Sequence, residues 1–217
     1  MEETYTKETT NRFLFLYRKL ESIGETDPEK YRFYKEKYYE QFEEYRHLRN
    51  YLSHEQYGGG YPFAVSSKVV SDLSTILAYM DCLALDKAAK NVKYLSPSTS
   101  IKEAMDAFIA TSYTYYPILN EKKRVLGILT SGSLLALVST HIDLELPLGD
   151  FLDRFSLANQ KTRFLFMKRT APLYEAEKAF REVKEGKRVS LILLTEHGLA
   201  SESLLGILTI YDILKSA

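Results

Sequence analysis

The stretch Leu205-Gly206-Ile207-Leu208-Thr209-Ile210-Tyr211-Asp212-Ile213-Leu214 has a double in this chain: Leu126-Gly127-Ile128-Leu129-Thr130-Ser131-Gly132-Ser133-Leu134-Leu135 repeats its frame 79 residues earlier. Each copy is a short apolar run, read as a buried strand, that meets a Thr and continues as a helix. The free backbone N–H groups of such a helix start face back toward the strand end, where an anion is favoured.

The repeat extends upstream. Ala104-Met105-Asp106-Ala107-Phe108 answers Ala176-Glu177-Lys178-Ala179-Phe180 at an offset of 72, after the turn-like lead-ins Ser98-Thr99-Ser100-Ile101 and Thr170-Ala171-Pro172-Leu173. Between helix and closing phrase lies an apolar run, Tyr115-Tyr116-Pro117-Ile118-Leu119 in one copy and Val189-Ser190-Leu191-Ile192-Leu193-Leu194 in the other. The second copy is seven residues longer, with the surplus assigned to Gly186-Lys187-Arg188 and to Gly198-Leu199-Ala200-Ser201-Glu202-Ser203.

Strand, helix, strand, strand, helix, twice over, with Gly-Ile-Leu-Thr-Ile-Tyr-Asp closing the second copy, resembles a tandem pair of CBS domains, the Bateman module, across residues 88–217. The resemblance implies a mixed α/β (α+β) fold. An N-terminal helical segment, 1–82, would precede two repeats of β-α-β-β-α order, at 83–140 and, with a linker helix, at 141–217.

In CBS pairs that bind adenosine-type ligands, the closing Thr contacts phosphate and the Asp three residues on accepts hydrogen bonds from both ribose hydroxyls. Carried onto this chain, these are Thr209 and Asp212. The chemistry suits the residues, since a helix start with a Thr hydroxyl favours an anion and a carboxylate matches a vicinal diol. Asp212 also reads as a plain helix-start carboxylate. The first copy keeps Thr130 but has Ser133 in place of the Asp, so one competent cleft is expected. By the same resemblance the base would lie against Gly186-Lys187-Arg188-Val189-Ser190. There Lys187 and Arg188 would reach phosphates, or stand as exposed turn residues. In the family this segment often ends in Pro; the first copy has Pro117, whereas the second is read with Leu191 in that place.

Composition bounds the rest. The chain has 217 residues, enough for one large or two modest domains, and 45% of them are apolar. Its 29 basic and 29 acidic residues cancel, which argues against electrostatic capture of nucleic acid or anionic membrane. The single cysteine, Cys82, excludes an intrachain disulfide and fits a reducing compartment. No apolar run is long enough to span a bilayer, and the N-terminus lacks a signal-peptide pattern. A soluble, cytoplasmic protein is expected. His47, His54, His141 and His197 are scattered without partners at metal-ligand spacing, so no metal site is expected.

Three helices are expected before the repeats. Phe13, Leu16, Leu20 and Ile23 share a face of the first, from Asn11 to a stop at Gly24, with the polar residues before Asn11 frayed. Asp27-Pro28 opens a long second helix, in which Tyr31, Tyr34, Tyr38, Phe42, Tyr45, Leu48 and Leu52 recur at three to four residues. That tyrosine-rich stripe could stack bases, but it reads better as an amphipathic packing face. Ser66 or Ser67 caps the third helix, whose apolar face is Val69, Val70, Leu73, Ile76, Leu77 and Met80.

The second helix ends in Leu48-Arg49-Asn50-Tyr51-Leu52-Ser53-His54, ahead of Gly58-Gly59-Gly60. Arg, a polar residue, and His after three more positions is similar to the Arg-x4-6-His motif of HEPN domains, whose catalytic members cleave RNA without metal across a dimer. The resemblance implies that Arg49 would stabilise charge on phosphate, His54 would act as general acid or base, and Asn50 would orient His54. On an ideal helix Arg49 and His54 stand about 140° apart, so they share a cleft only if the helix end distorts or a second subunit completes it. Plainer roles are a dipole contact for His54 and an ion pair of Arg49 with Glu43, Glu44 or a partner chain.

Two functions follow. The first is a homodimeric sensor that binds an adenine nucleotide, AMP or ATP, or another adenosyl compound in the CBS-pair cleft and signals to its N-terminal helices. The alternative is a metal-independent ribonuclease, with RNA as substrate, regulated by the pair.

Overall fold

Helix α1 spans Lys7–Thr26 in the structure, a computed structural model that describes residues 4–54, 61–111, 113–158 and 163–215. Two units divide the chain, residues 1–82 and 83–217. In the first unit, Thr6 and Thr9 close a reciprocal cap on α1: the Thr9 N–H donates to Thr6 Oγ1 at 3.1 Å and the Thr6 N–H to Thr9 Oγ1 at 3.0 Å. Of the polar residues expected to fray, Lys7–Thr10 are therefore helical. Gly24 does not end the helix either. A Cβ there would meet the Tyr31 ring at 3.4 Å, an ordinary contact.

Asp27 opens α2, Pro28–Lys37, by accepting from the Lys30 N–H at 3.1 Å. The expected single long helix is broken at Tyr38 (φ −118°, ψ 42°), and α3 runs over Tyr39–His54. Little hydrogen bonding is lost, because the Tyr38 N–H still reaches the Tyr34 carbonyl at 2.9 Å and the Phe42 N–H the Tyr38 carbonyl at 3.0 Å. Both segments then turn rings inward: Tyr34, Phe42, Tyr45 and Leu52 are buried. Phe13 meets Tyr45 edge-on at 6.2 Å and Tyr34 meets Tyr79 edge-on at 6.0 Å. The tyrosine stripe is core. Ser66 caps α4, Ser67–Met80, accepting from the Val69 N–H at 3.3 Å.

The second unit carries α5 (Ala84–Lys87), α6 (Ile101–Ala110), β1 (Tyr115–Leu119), β2 (Val125–Thr130), α7 (Ser131–Val138), a 3-10 turn (Leu148–Phe151) and α8 (Leu152–Phe155). After these come β3 (Arg163–Lys168), α9 (Leu173–Arg181), β4 (Val183–Lys184), β5 (Lys187–Thr195), β6 (Gly206–Leu208) and α10 (Ile210–Leu214). The repeat is explicit in the pairing. Leu95 bridges Ile118 in parallel, as Met167 of β3 faces Leu194 of β5. Ile118 then lies opposite Gly127 across the antiparallel β1–β2 pair, as Leu194 lies opposite Gly206 across β5–β6.

This register apportions the seven extra residues: four precede the middle strand and three follow it. The four belong to the β4–β5 hairpin, whose turn residues Glu185 and Gly186 both have positive φ, 53° and 73°. It also corrects one correspondence. Pro117 matches Leu193, not Leu191, because the hairpin displaces the start of β5.

The copies exchange segments. The lead-in of the first copy, ahead of α6, pairs with the second: the Ala84 N–H donates to the Ala171 carbonyl at 2.8 Å, and Ala89 exchanges bonds with Ile207 at 2.9 and 3.1 Å. Residues between the copies pair with the first, the Leu148 N–H reaching the Thr99 carbonyl at 2.9 Å and Gly149 the Pro97 carbonyl at 2.8 Å. Here lies the reason for glycine in both repeated phrases. A Cβ on Gly127 would stand 2.6 Å from the Phe155 carbonyl oxygen, and one on Gly206 3.2 Å from that of Ala89. Leu119, Val125 and Ile128 of the first copy pack against Leu191 and Leu193 of the second. Each such buried side chain is worth about 1.5–3 kcal/mol. Tyr116, Ile118 and Leu129 point the other way, onto Ile101, Ala104, Leu134 and Leu137.

Candidate functional site

Where β6 runs into α10, the second unit holds a cavity of about 390 Å³, within the range of small-ligand sites. Ile207, Thr209, Tyr211, Asp212 and Lys215 come from the closing phrase of the second copy. Tyr113, Thr114 and Tyr115 come from the segment that enters β1 of the first, with Leu191 of β5 beside them. A third side is the exchanged lead-in, Ala89, Asn91, Val92 and Lys93. Apolar and aromatic walls thus surround two threonine hydroxyls, a carboxylate and two ammonium groups.

The Thr209 N–H and hydroxyl both donate to Asp212 Oδ2, at 2.8 and 2.7 Å. This local box fixes the carboxylate at the cavity wall, and it makes Asp212 the helix-start residue that the plainer reading describes. In the first copy Ser133 does the same work: its hydroxyl oxygen accepts from the Thr130 N–H at 2.9 Å, and its own N–H donates to Thr130 Oγ1 at 2.9 Å. A serine replaces the cap but not the charge.

Thr209 and Asp212 line the cavity together, whereas the described lining does not include Lys187, Arg188, Val189 or Ser190. Lys187 and Arg188 are exposed on the hairpin, paired with Lys184 and Val183. Val189 is buried in β5. By register, Val189 and Ser190 hold in the second copy the place of Tyr113 and Thr114 in the first. The cleft therefore joins the helix start of one copy to the strand entrance of the other, an arrangement that comparison of aligned copies does not reveal. Lys93, Tyr113, Tyr115 and Lys215 are the residues sequence reasoning missed; the only signal was Lys215, one turn beyond Asp212.

In the helical unit, Arg49 pairs with Glu21 at 3.4 Å and donates to Asn50 Oδ1 at 3.3 Å. Glu43 is taken instead by Arg46 at 2.6 Å and Lys35 at 3.4 Å, and the Arg46 hydrogen bond holds its carboxyl below the usual range. His54 is the last residue of α3, and its side chain lies outside the described residues. Among the described residues no three His, Cys, Asp or Glu side chains gather in a metal-binding arrangement, and no helix is long and apolar enough to cross a membrane.

Residues 86–140 match the family model described as CBS domain. A CBS domain is found there. It contributes Ala89, Asn91, Val92, Lys93 and Tyr113–Tyr115 to the cavity, and its match ends before the second copy begins. Solved structures similar to this chain include an acetoin utilization protein from Vibrio cholerae, at 20% identity over 62% of this chain and 88% of that one, with a TM-score of 0.48. A hemolysin-like protein containing a CBS domain from Oenococcus oeni PSU is 13% identical over 66% of this chain and 96% of that one, with a TM-score of 0.48. CBSX2 in complex with AMP is 19% identical over 62% and 94%, with a TM-score of 0.46. Among curated proteins nothing matches.

Proposed function

We propose that residues 83–217 are a tandem pair of CBS domains that binds one adenosyl ligand per chain, an adenine nucleotide such as AMP or ATP, between Tyr113–Tyr115 and the Thr209–Asp212 helix start. The chain is then a homodimeric regulatory protein whose N-terminal helices receive the signal. One observation carries the reading: a single cavity brings together aromatic walls for a base, a carboxylate held by Thr209 for a vicinal diol, and two lysines for phosphate. The CBS domain at 86–140 supports it.

Coupling follows from who lines the cavity. A ligand that touches both copies favours the one arrangement of them that completes its contacts, and that differential affinity is the regulatory energy. The lead-in Ala89–Lys93 lines the cavity only a few residues after the helical unit ends at Cys82, so occupancy bears directly on the connecting chain.

Calorimetric titration of the full chain with AMP, ADP, ATP, S-adenosylmethionine and cyclic di-AMP tests this. Saturable binding near one ligand per chain, weakened in Asp212→Ser, is the expected result. Absence of saturable binding to all five sinks the reading.

A further inference from the structure

The closing helices of the two copies keep an outer stripe that the cavity uses only in part. On α7 the exposed residues Ser131, Gly132, Leu135, Ala136 and Ser139 follow the spacing of one helix face. On α10 the exposed residues Ile210, Tyr211 and Leu214 repeat that spacing. The offset of 79 makes Ser131 equivalent to Ile210, Gly132 to Tyr211 and Leu135 to Leu214. Both leucines stand in solvent, 71% and 62% exposed, while Leu134 and Ile213 beside them are buried.

The stripes differ in size rather than in charge. Residues 131–140 carry no charged side chain, and no Lys or Arg occurs between Arg124 and Arg154. Around Leu135 the α7 stripe is shallow, built of Ser, Gly and Ala. In the equivalent places α10 has Ile210 and Tyr211, the latter 69% exposed. Lys215, the exposed charge that follows, lines the cavity. A charged partner would lose hydration on such a face without gaining a counter-charge, and an anionic membrane finds no cation on α7. The chain supplies a match of its own. Large side chains of α10 fit the shallow places of α7, whereas α7 on α7 leaves gaps and α10 on α10 crowds the tyrosines and leucines.

We infer that the chain dimerises through these stripes in the unlike sense, α7 of one copy on α10 of its partner, with the two-fold axis repeating the contact the other way. The inference rests on the homodimer of the proposed function and names its interface. Tyr211 then belongs to the cavity wall and to the interface at once, so the partner's α7 backs one side of the cavity.

Sedimentation equilibrium and cross-linking of the full chain test this. The wild-type chain is a dimer, and Leu135→Arg or Leu214→Arg, each at an exposed position, weakens it by about tenfold or more with circular dichroism unchanged. Cross-linking reads the sense of the pairing. In a Cys82→Ser background, Ala136→Cys and Leu214→Cys chains with tags of different length are co-expressed and treated with a short bismaleimide. The mixed product dominates over either like product. Dominance of the like products, or absence of the mixed one, overturns the unlike pairing. A dimer indifferent to both arginines overturns the interface and leaves the homodimer standing. A monomeric wild-type chain removes the inference and the homodimer together, and flotation of that monomer with phosphatidylcholine vesicles assigns the face to lipid. Calorimetry with AMP decides the ligand reading separately from all of these.

Discussion

The Thr209 hydroxyl donates to Asp212 Oδ2 at 2.7 Å, across the same three-residue step at which Thr130 meets Ser133 at 3.0 Å in the first copy. The protein thus contains its own control for Asp212. A serine there keeps the cap, and only the carboxylate disappears. Asp212→Ser is expected to leave stability within about 0.5 kcal/mol and to weaken a ribose-bearing ligand by about tenfold or more. Asp212→Ala loses the cap as well, about 1 kcal/mol. Calorimetry paired with urea denaturation separates the two, and unchanged affinity in Asp212→Ser would remove the carboxylate from the site.

Glycine is required at one repeated position and not at another. At Gly127 a Cβ would meet the Phe155 carbonyl at 2.6 Å, and a backbone oxygen cannot swing aside. Gly127→Ala should therefore cost about 2–3 kcal/mol. Gly132, in the first turn of α7, has only Thr130 Oγ1 nearby, at 3.8 Å. Gly132→Ala should stabilise by about 0.5 kcal/mol, mostly by restricting the unfolded chain. Urea midpoints that move in opposite directions bear this out; a shared direction contradicts it.

What the sequence discloses is what two copies or one local motif can show. The repeated Gly-Ile-Leu-Thr phrase, the Asp27-Pro28 start and the Ser66 cap are legible because each acts within a few residues. The break at Tyr38 is not, since no Pro or Gly marks it; Tyr34 and Phe42 are buried on either side of it. Nor is the start at Thr6, where Thr9 Oγ1 also sits 2.6 Å from the Val65 carbonyl, 56 residues away. In the candidate site Thr209 and Asp212 are legible as a pair. The opposite wall is not, because exchange of lead-in segments between the copies sets Tyr113–Tyr115 across from them.

The turn after β5 has an acid-sensitive clasp. The Glu202 carboxylate accepts from the His197 N–H at 2.7 Å, lies 2.6 Å from His197 Nδ1, and accepts from the Leu199 N–H at 3.3 Å. The His197 N–H is the largest cause that brings its pKa down from 4.5 to about 2. A folded-state pKa below the unfolded one means that the clasp contributes fully above about 4.5 and is lost as pH falls toward about 2. Protection of the His197 and Leu199 amides, measured relative to their intrinsic exchange rates, should therefore fall over that window, and Glu202→Gln should remove the pH dependence. A Glu202 carboxyl carbon that titrates near 4.5 by NMR would contradict the clasp.

Lys93 and Lys215 approach the cavity from the exchanged lead-in and from the end of α10, and against them stands one lining carboxylate, Asp212. The imbalance favours an anionic ligand over a neutral or cationic one of the same shape. Under the sensor reading, Lys93→Ala and Lys215→Ala should each weaken AMP or ATP by about tenfold, the worth of one charge-assisted contact to phosphate. Binding of the uncharged 5′-methylthioadenosine should change little, since its base and ribose meet the tyrosines and Asp212. Competition titrations with both ligands on each variant read the difference directly. If both ligands weaken equally, the lysines shape the cavity rather than hold phosphate. If neither weakens, neither lysine holds the phosphate.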